Sequence, residues 1–255
     1  MTTALITGAT AGIGREFADQ LAAAGHDLVL VARDTARLEL VRSEIEDEHE
    51  VDVEVLTADL SDRAQLQRVA DRLADDARPV DILVNNAGYG LRKSFLQNEI
   101  AVEEQLFDVL CRAVLVLSHA AGRAMKGRGT GSIINVSSVA GFLAAGTYSA
   151  EKSFVTVFSE GLASELEPHG VQVTALCPGF TRTEFHERAS LRMTLPDFAW
   201  LDKRDLVATC LKDVAAGRTV SVPGLQYKAA ATALRLLPRG VVRKGGLVQK
   251  KKRRG

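Results

Sequence analysis

The chain has 255 residues, 46% hydrophobic and 25% charged, an ordinary globular composition with enough apolar material for one large α/β domain. No apolar run approaches the roughly 20 residues that cross a bilayer, the N-terminus lacks a basic stretch followed by a long apolar one, and Cys111, Cys177 and Cys210 are too few and too scattered for a disulfide framework, so an intracellular, cytoplasmic protein is expected. The net charge of zero hides an asymmetry: every acidic residue lies at or before Asp213, and the chain ends in Lys250-Lys251-Lys252-Arg253-Arg254.

In chain order, short aliphatic runs alternate with longer amphipathic ones. Strands are expected at 4–7, 28–31, 53–57, 82–85, 132–136 and 171–176, and helices at 14–24, 35–48, 62–77, 101–126 and 148–168. Several strand runs are almost wholly apolar, as parallel strands covered on both faces require. Gly25, Gly170 and the stretch Gly127 to Gly131 supply helix stops. The alternation predicts a single Rossmann-like, doubly wound parallel sheet with helices on both faces over residues 1–238. Segment 183–201 interrupts it as an insertion over the carboxyl edge of the sheet, where such folds bind ligands.

The first strand runs into Thr7-Gly8-Ala9-Thr10-Ala11-Gly12-Ile13-Gly14 and then a helix. Glycines here permit a tight turn, close approach of the backbone to a pyrophosphate and close packing of helix on strand, while the helix N-terminus turns free N–H groups toward the anion.

The G-x-x-x-G-x-G spacing resembles that of the short-chain dehydrogenase/reductase family, and further motifs follow in the family's order: Asn85-Asn86-Ala87-Gly88, Asn135-Val136-Ser137-Ser138, Tyr148-x-x-x-Lys152, and Pro178-Gly179 followed by Thr183. The resemblance spans roughly residues 3 to 185. It implies an oxidoreductase in which Gly8, Thr10, Gly12, Ile13 and Gly14 form the phosphate turn, Asp59 and Leu60 meet adenine, and Asn86, Ala87 and Gly88 flank the cofactor. Tyr148 and Lys152 are implied at the ribose and nicotinamide, and Pro178, Gly179 and Thr183 at the carboxamide.

The end of the second strand reads Val31-Ala32-Arg33-Asp34, with Ala32 where the resemblance puts the acid that selects NAD. A guanidinium at Arg33 can pair with a 2′-phosphate, so NADP(H) is the expected cofactor. For the chemistry, Lys152 lies one helical turn after Tyr148, and its ammonium together with the nicotinamide's positive charge is expected to draw the phenol toward tyrosinate so that it can serve as the proton donor to a developing alkoxide. Ser138 is expected to polarise the substrate oxygen, with Ser137 as the fallback. The resemblance also exposes two departures. Ten positions separate Ser138 from Tyr148, fewer than the thirteen common in the family, and Leu110 stands where the family often places a water-holding asparagine. The histidines at 26, 49, 119, 169 and 186 have no paired-ligand spacing, so no metal site is expected, and no basic patch with interleaved aromatics points to nucleic acid.

Phe185, Leu191, Met193, Leu195, Phe198 and Trp200 either line an apolar substrate pocket or pack as an ordinary lid. The helix-prone run 227–237 and the basic tail 239–255 form either a peripheral contact with the inner face of a membrane or a solvated end. The resulting expectation is a carbonyl reductase or alcohol dehydrogenase acting on a lipophilic small molecule, assembled as a homodimer or homotetramer through helices 101–126 and 148–168. Leu110 motivates a rival, a non-catalytic NADP(H)-binding sensor or scaffold. A third reading, a sugar-nucleotide epimerase, fits the Tyr–Lys pair but not the glycine spacing or the length of the chain.

Overall fold

The computed structural model describes residues 2–183, 196–238 and 240–242, the side chain of Phe198 excepted. The pocket-lining expectation for Phe185, Leu191, Met193 and Leu195, and nearly all of the basic tail, lie outside the described residues.

Seven parallel strands form one sheet: β1 (Thr3–Thr7), β2 (Asp27–Ala32), β3 (Val53–Thr57), β4 (Ile82–Asn85), β5 (Gly131–Val136), β6 (Val171–Leu176) and β7 (Val220–Ser221), in the order β3-β2-β1-β4-β5-β6-β7. Ala4 of β1 lies between Leu28 of β2 and Ile82 of β4. The strand order therefore reverses at β1 and β4, and their carboxyl ends frame the crevice in which open sheets of this kind hold ligands.

Alternation along each strand sorts the core into two layers. Ala4, Ile6, Leu28 and Leu30 face α1 (Gly12–Ala23), α2 (Thr35–Glu48) and α7 (Lys203–Ala215), packing with Phe17, Leu21, Leu38, Ile45 and Leu206. Leu5, Val29, Val31 and Leu83 face α3 (Arg63–Leu73), α5 (Ala113–Arg128) and α6 (Thr147–Leu166), packing with Leu66, Val69, Leu117 and Leu166. Both faces of every central strand are thus dry, which is why those strands read as continuous apolar runs.

Local chemistry sets the helix ends. The carboxylates of Asp34, Asp62 and Asp202 accept backbone N–H groups at the starts of α2, α3 and α7, and α5 stops at Gly129, whose φ of 74° is left-handed. The run 101–126 is helical throughout, as expected, but carries a π-helical turn at Asp108–Arg112 between α4 (Ile100–Phe107) and α5. The added residue in that turn carries Leu110 and Cys111 inward, where both are buried. β7 and α7 extend the sheet and its helical layer beyond the elements read from the sequence; two residues of strand carry no readable periodicity. The helix-prone stretch forms α8 (Leu225–Leu236). No described helix is long and apolar enough to cross a membrane.

Candidate active site

The phosphate turn is tight because its glycines have no room for anything else. Gly8 and Gly12 take φ of 68° and 59°. A Cβ on Gly14 would lie 2.3 Å from both the Asn86 amide nitrogen and the Gly8 carbonyl oxygen. Asn86 holds the turn from the side, its Nδ2 donating to the carbonyl oxygens of Thr7 (2.9 Å) and Gly8 (3.3 Å). Thr7 Oγ1 accepts the backbone N–H groups of Asn86 and Ala87, each at 3.0 Å. Behind them, Asn85 donates to Ser118 (3.1 Å) and to Asn135 (2.8 Å), and Asn135 donates to Ser159 (2.9 Å), tying β4, β5, α5 and α6 into one buried polar ladder.

Across the turn, a Cβ on Gly12 would meet the Thr183 side chain at 3.3 Å. The glycine turn and the Pro178–Thr183 stretch are therefore neighbours, although far apart in sequence. α1 begins at Gly12 with no side-chain cap, so its first N–H groups point into the crevice unmasked. This cradle, which a Cβ would fill, fits a dinucleotide pyrophosphate.

At the end of β2, Arg33 is exposed. Asp34, the carboxylate that follows Arg33, accepts the Arg37 backbone N–H at 3.1 Å. Its charge is engaged in the cap of α2. The Arg37 guanidinium donates to the Thr10 carbonyl oxygen at 3.4 Å, bringing a second cation to the phosphate turn that the sequence reading missed. Asp59 Oδ1 accepts from both the N–H (2.9 Å) and the hydroxyl (2.7 Å) of Ser61, and the Leu60 side chain is buried in the core. Asp59 itself is half-buried just past the end of β3. Ile13 packs on the core.

At the carboxyl end of β5 the two serines separate. Ser137 is buried, with its hydroxyl donating to the Lys152 carbonyl oxygen (2.6 Å) and sharing a hydrogen with Thr156 (2.7 Å). It is a fastening between β5 and α6. Ser138 is partly exposed. Its Oγ accepts the Ala140 N–H (3.1 Å), contacts the Pro178 carbonyl oxygen at 3.4 Å, and hydrogen-bonds the Tyr148 phenol. The shortened connection to α6 is taken up by a 3₁₀ turn at Val139–Phe142. Gly179 is pinned by the Tyr227 ring, which a Cβ would approach to 2.2 Å. Phe180 lies 6.0 Å from Trp200 and 6.4 Å from Tyr227, so the apolar wall at this end of the crevice is built from three aromatic rings.

Lys152 Nζ donates to the Val136 carbonyl oxygen at 2.7 Å and sits 5.8 Å from the centroid of the Tyr148 ring. Burial pushes its ammonium down to about 8. Burial pushes Tyr148 up to about 12, the hydrogen bond with Ser138 pulls the other way, and the nearby Glu151 adds to the rise. Leu110 packs with Leu106, Cys111, Tyr89, Leu91 and Tyr148 in a small apolar cluster, and its Cδ2 would lie 2.8 Å from a Cβ on Gly88.

The family model for short chain dehydrogenases matches residues 2–193. The chain is similar to a short-chain dehydrogenase from Sphingobium yanoikuyae solved in complex with NADPH, with 39% identity, a TM-score of 0.86, and coverage of 98% of this chain and 96% of that one. It is also similar to a bulky-bulky ketone specific alcohol dehydrogenase from Comamonas testosteroni, with 33% identity, a TM-score of 0.80, and coverage of 94% and 96%. Galactitol 2-dehydrogenase (L-tagatose-forming) from Cereibacter sphaeroides is 34% identical over 204 residues, 78% of each chain.

Proposed function

The chain belongs to the short-chain dehydrogenase family, and from that membership we propose that it interconverts a ketone or aldehyde with an alcohol, using NADP(H). The observation that carries this reading is the convergence of Ser138, Tyr148 and Lys152 at the carboxyl edge of the sheet, with the phenol hydrogen-bonded to Ser138 and the ammonium 5.8 Å from the phenol ring.

When bound, the nicotinamide supplies or accepts the hydride. The phosphate turn from Gly8 to Gly14 holds the pyrophosphate, and Pro178, Gly179 and Thr183 lie where they would meet the carboxamide. Arg33 and Arg37 supply positive charge for a 2′-phosphate. Ser138 orients the substrate oxygen. Tyr148 donates its phenolic proton to that oxygen as negative charge develops there. Lys152 holds its place by donating to Val136, and its charge stabilises the phenolate once the proton has left.

The preference for a lipophilic ketone rests on the aromatic wall of Phe180, Trp200 and Tyr227 and on the ketone-specific relative from Comamonas testosteroni. The galactitol-oxidising relative makes polyols the comparison class. Assembly into a homodimer or homotetramer is read from apolar side chains left exposed on α4, α5 and α6: Phe107, Leu115, Phe154 and Val157.

The test is oxidation of NADPH, and of NADH in parallel, across a panel of bulky ketones, aldehydes and polyol-derived ketoses. Wild type is expected to turn over with NADPH on apolar ketones. Tyr148→Phe is expected to lose about two to four orders of magnitude in kcat while still binding NADPH. Equal rates for the two proteins on every substrate would favour the non-catalytic nucleotide-binding reading.

A further inference from the structure

The two sides of α8 are unlike. Tyr227 and Ala231 are buried against the body of the protein, with Leu234 half-buried beside them. At roughly 100° per residue, Leu225, Ala229, Thr232, Ala233 and Leu236 fall together on the opposite side. All five are exposed, Leu225 by 84% and Leu236 by 81%. Leu237 and Val241, just past the helix, are exposed as well. A surface helix ordinarily turns charged and polar residues to water, and this one turns a leucine at each end of a row of small residues.

The charge around that row has one sign. α8 carries Lys228 and Arg235 and no acid, and after Asp213 the chain holds eleven lysines and arginines and no aspartate or glutamate. Eight of the eleven lie in residues 239–255. Glu160 of α6, which approaches α8, is paired with Arg235 at 3.2 Å, and the same guanidinium lies 4.8 Å from the centre of the Phe142 ring. Lys228 remains exposed on the flank of the row.

Leucines between cations suit an anionic lipid surface, where the apolar side chains enter the acyl boundary and the cations meet headgroup phosphates. A nucleic acid is held differently, by aromatic rings exposed among the cations, and the one aromatic residue of α8, Tyr227, is turned inward. A second copy docked through the same face would set Lys228 and the basic segment of each chain against those of the other. On its inner side α8 forms part of the crevice wall: the Tyr227 hydroxyl donates to the Ala199 carbonyl oxygen at 2.5 Å, and its ring closes on Gly179. The outer row and the crevice wall are thus two sides of one helix, about 10 Å apart.

We propose that the outer row of α8 and the basic segment 239–255 together seat the protein on an anionic phospholipid surface, with the apolar wall of the crevice one helix away from the bilayer. The docking stands apart from the oxidoreductase reading; only the value of that position for a lipophilic ketone rests on it.

The test is co-sedimentation of the full chain with vesicles of phosphatidylcholine alone and of equimolar phosphatidylcholine and phosphatidylglycerol, at low and high salt, with poly(U) RNA binding measured in parallel. Wild type is compared with Leu225→Gln/Leu236→Gln and with Lys250→Gln/Lys251→Gln/Lys252→Gln. Wild type is expected to sediment with the anionic vesicles and not with phosphatidylcholine, and to be released by salt. Each variant is expected to bind the anionic vesicles at least about tenfold more weakly, while keeping the wild-type melting temperature and NADPH affinity. The lysine substitutions touch no contact among the described residues and carry the test if the leucine variant melts early. No binding to anionic vesicles, equal binding to both kinds, or undiminished binding in either variant would overturn the proposal. So would tighter binding to RNA than to vesicles, or a larger species in sedimentation velocity that the leucine variant dissociates while vesicles leave wild type in solution. None of these readings needs a substrate, so a failure of docking is distinct from a failure of turnover.

Discussion

Gly14 is held to its size from two directions, by the Asn86 amide and by the Gly8 carbonyl, each 2.3 Å from where a methyl carbon would stand. One of these is backbone and cannot rotate away. Gly14→Ala is therefore expected to destabilise the protein by about 1–3 kcal/mol through overpacking and to weaken NADPH binding by displacing the turn; thermal melting and nucleotide fluorescence titration check the two effects separately. Glu151 makes a prediction of a different kind. Its carboxyl is raised from 4.5 to about 7 in the fold. Between those values the native protein keeps a proton that the unfolded chain has released, so stability falls as pH rises through that window, by at most about 3 kcal/mol. Melting temperatures measured from pH 4.5 to 8 should fall more steeply for wild type than for Glu151→Gln. Lys152 works in the opposite sense at higher pH: lowered to about 8, it contributes a rise in stability between about 8 and its ordinary 10.5.

At the scale of elements, α2 shows how one side chain can be read for the wrong purpose. Asp34 follows Arg33 at the end of β2 and looks, in sequence, like a carboxylate that would repel a 2′-phosphate. In the fold it closes the first turn of α2 by accepting the Arg37 N–H. Asp34→Ala is expected to cost about 1 kcal/mol of stability in urea denaturation. Asp34→Asn should keep the cap and sharpen the preference for NADPH over NADH, because it removes a charge and leaves an acceptor. The Asp108–Arg112 turn is the second case. A periodic apolar pattern across 101–126 reads as one continuous helix, since a single inserted residue shifts the phase of the pattern without erasing it. The shift nevertheless decides which side chains face Tyr148, and here they are Leu110 and Cys111.

At the scale of the whole molecule, the sheet and its two helical layers leave α4, α5 and α6 with an apolar face that the described residues do not cover: Val157 is 63% exposed and Phe107 52%. A surface of that kind is most simply buried against a second copy. Val157→Glu is expected to shift the protein toward monomer in sedimentation velocity, and little change in its melting temperature at dilute concentration would separate an interface effect from misfolding.

The amino-acid sequence by itself determined the class of fold, the glycine turn, the strand-end serines and the Tyr148–Lys152 pair, because each is written in neighbours: a period of two in strands, a turn of four in a helix, a glycine wherever φ must be positive. The six longer strands fall within a residue of their expected bounds for the same reason. Only the tertiary structure decided which serine meets Tyr148, that Thr183 lies against Gly12, that Arg37 reaches Thr10, and that Thr147 donates to Glu103. Those partners come from different elements, and no local pattern records a distance that exists only after the sheet has closed over its two cores. The protonation of the site belongs to the same class. Burial sets the pKa values of Tyr148, Glu151 and Lys152 more strongly than any neighbour in the chain, and burial is a property of the assembled fold.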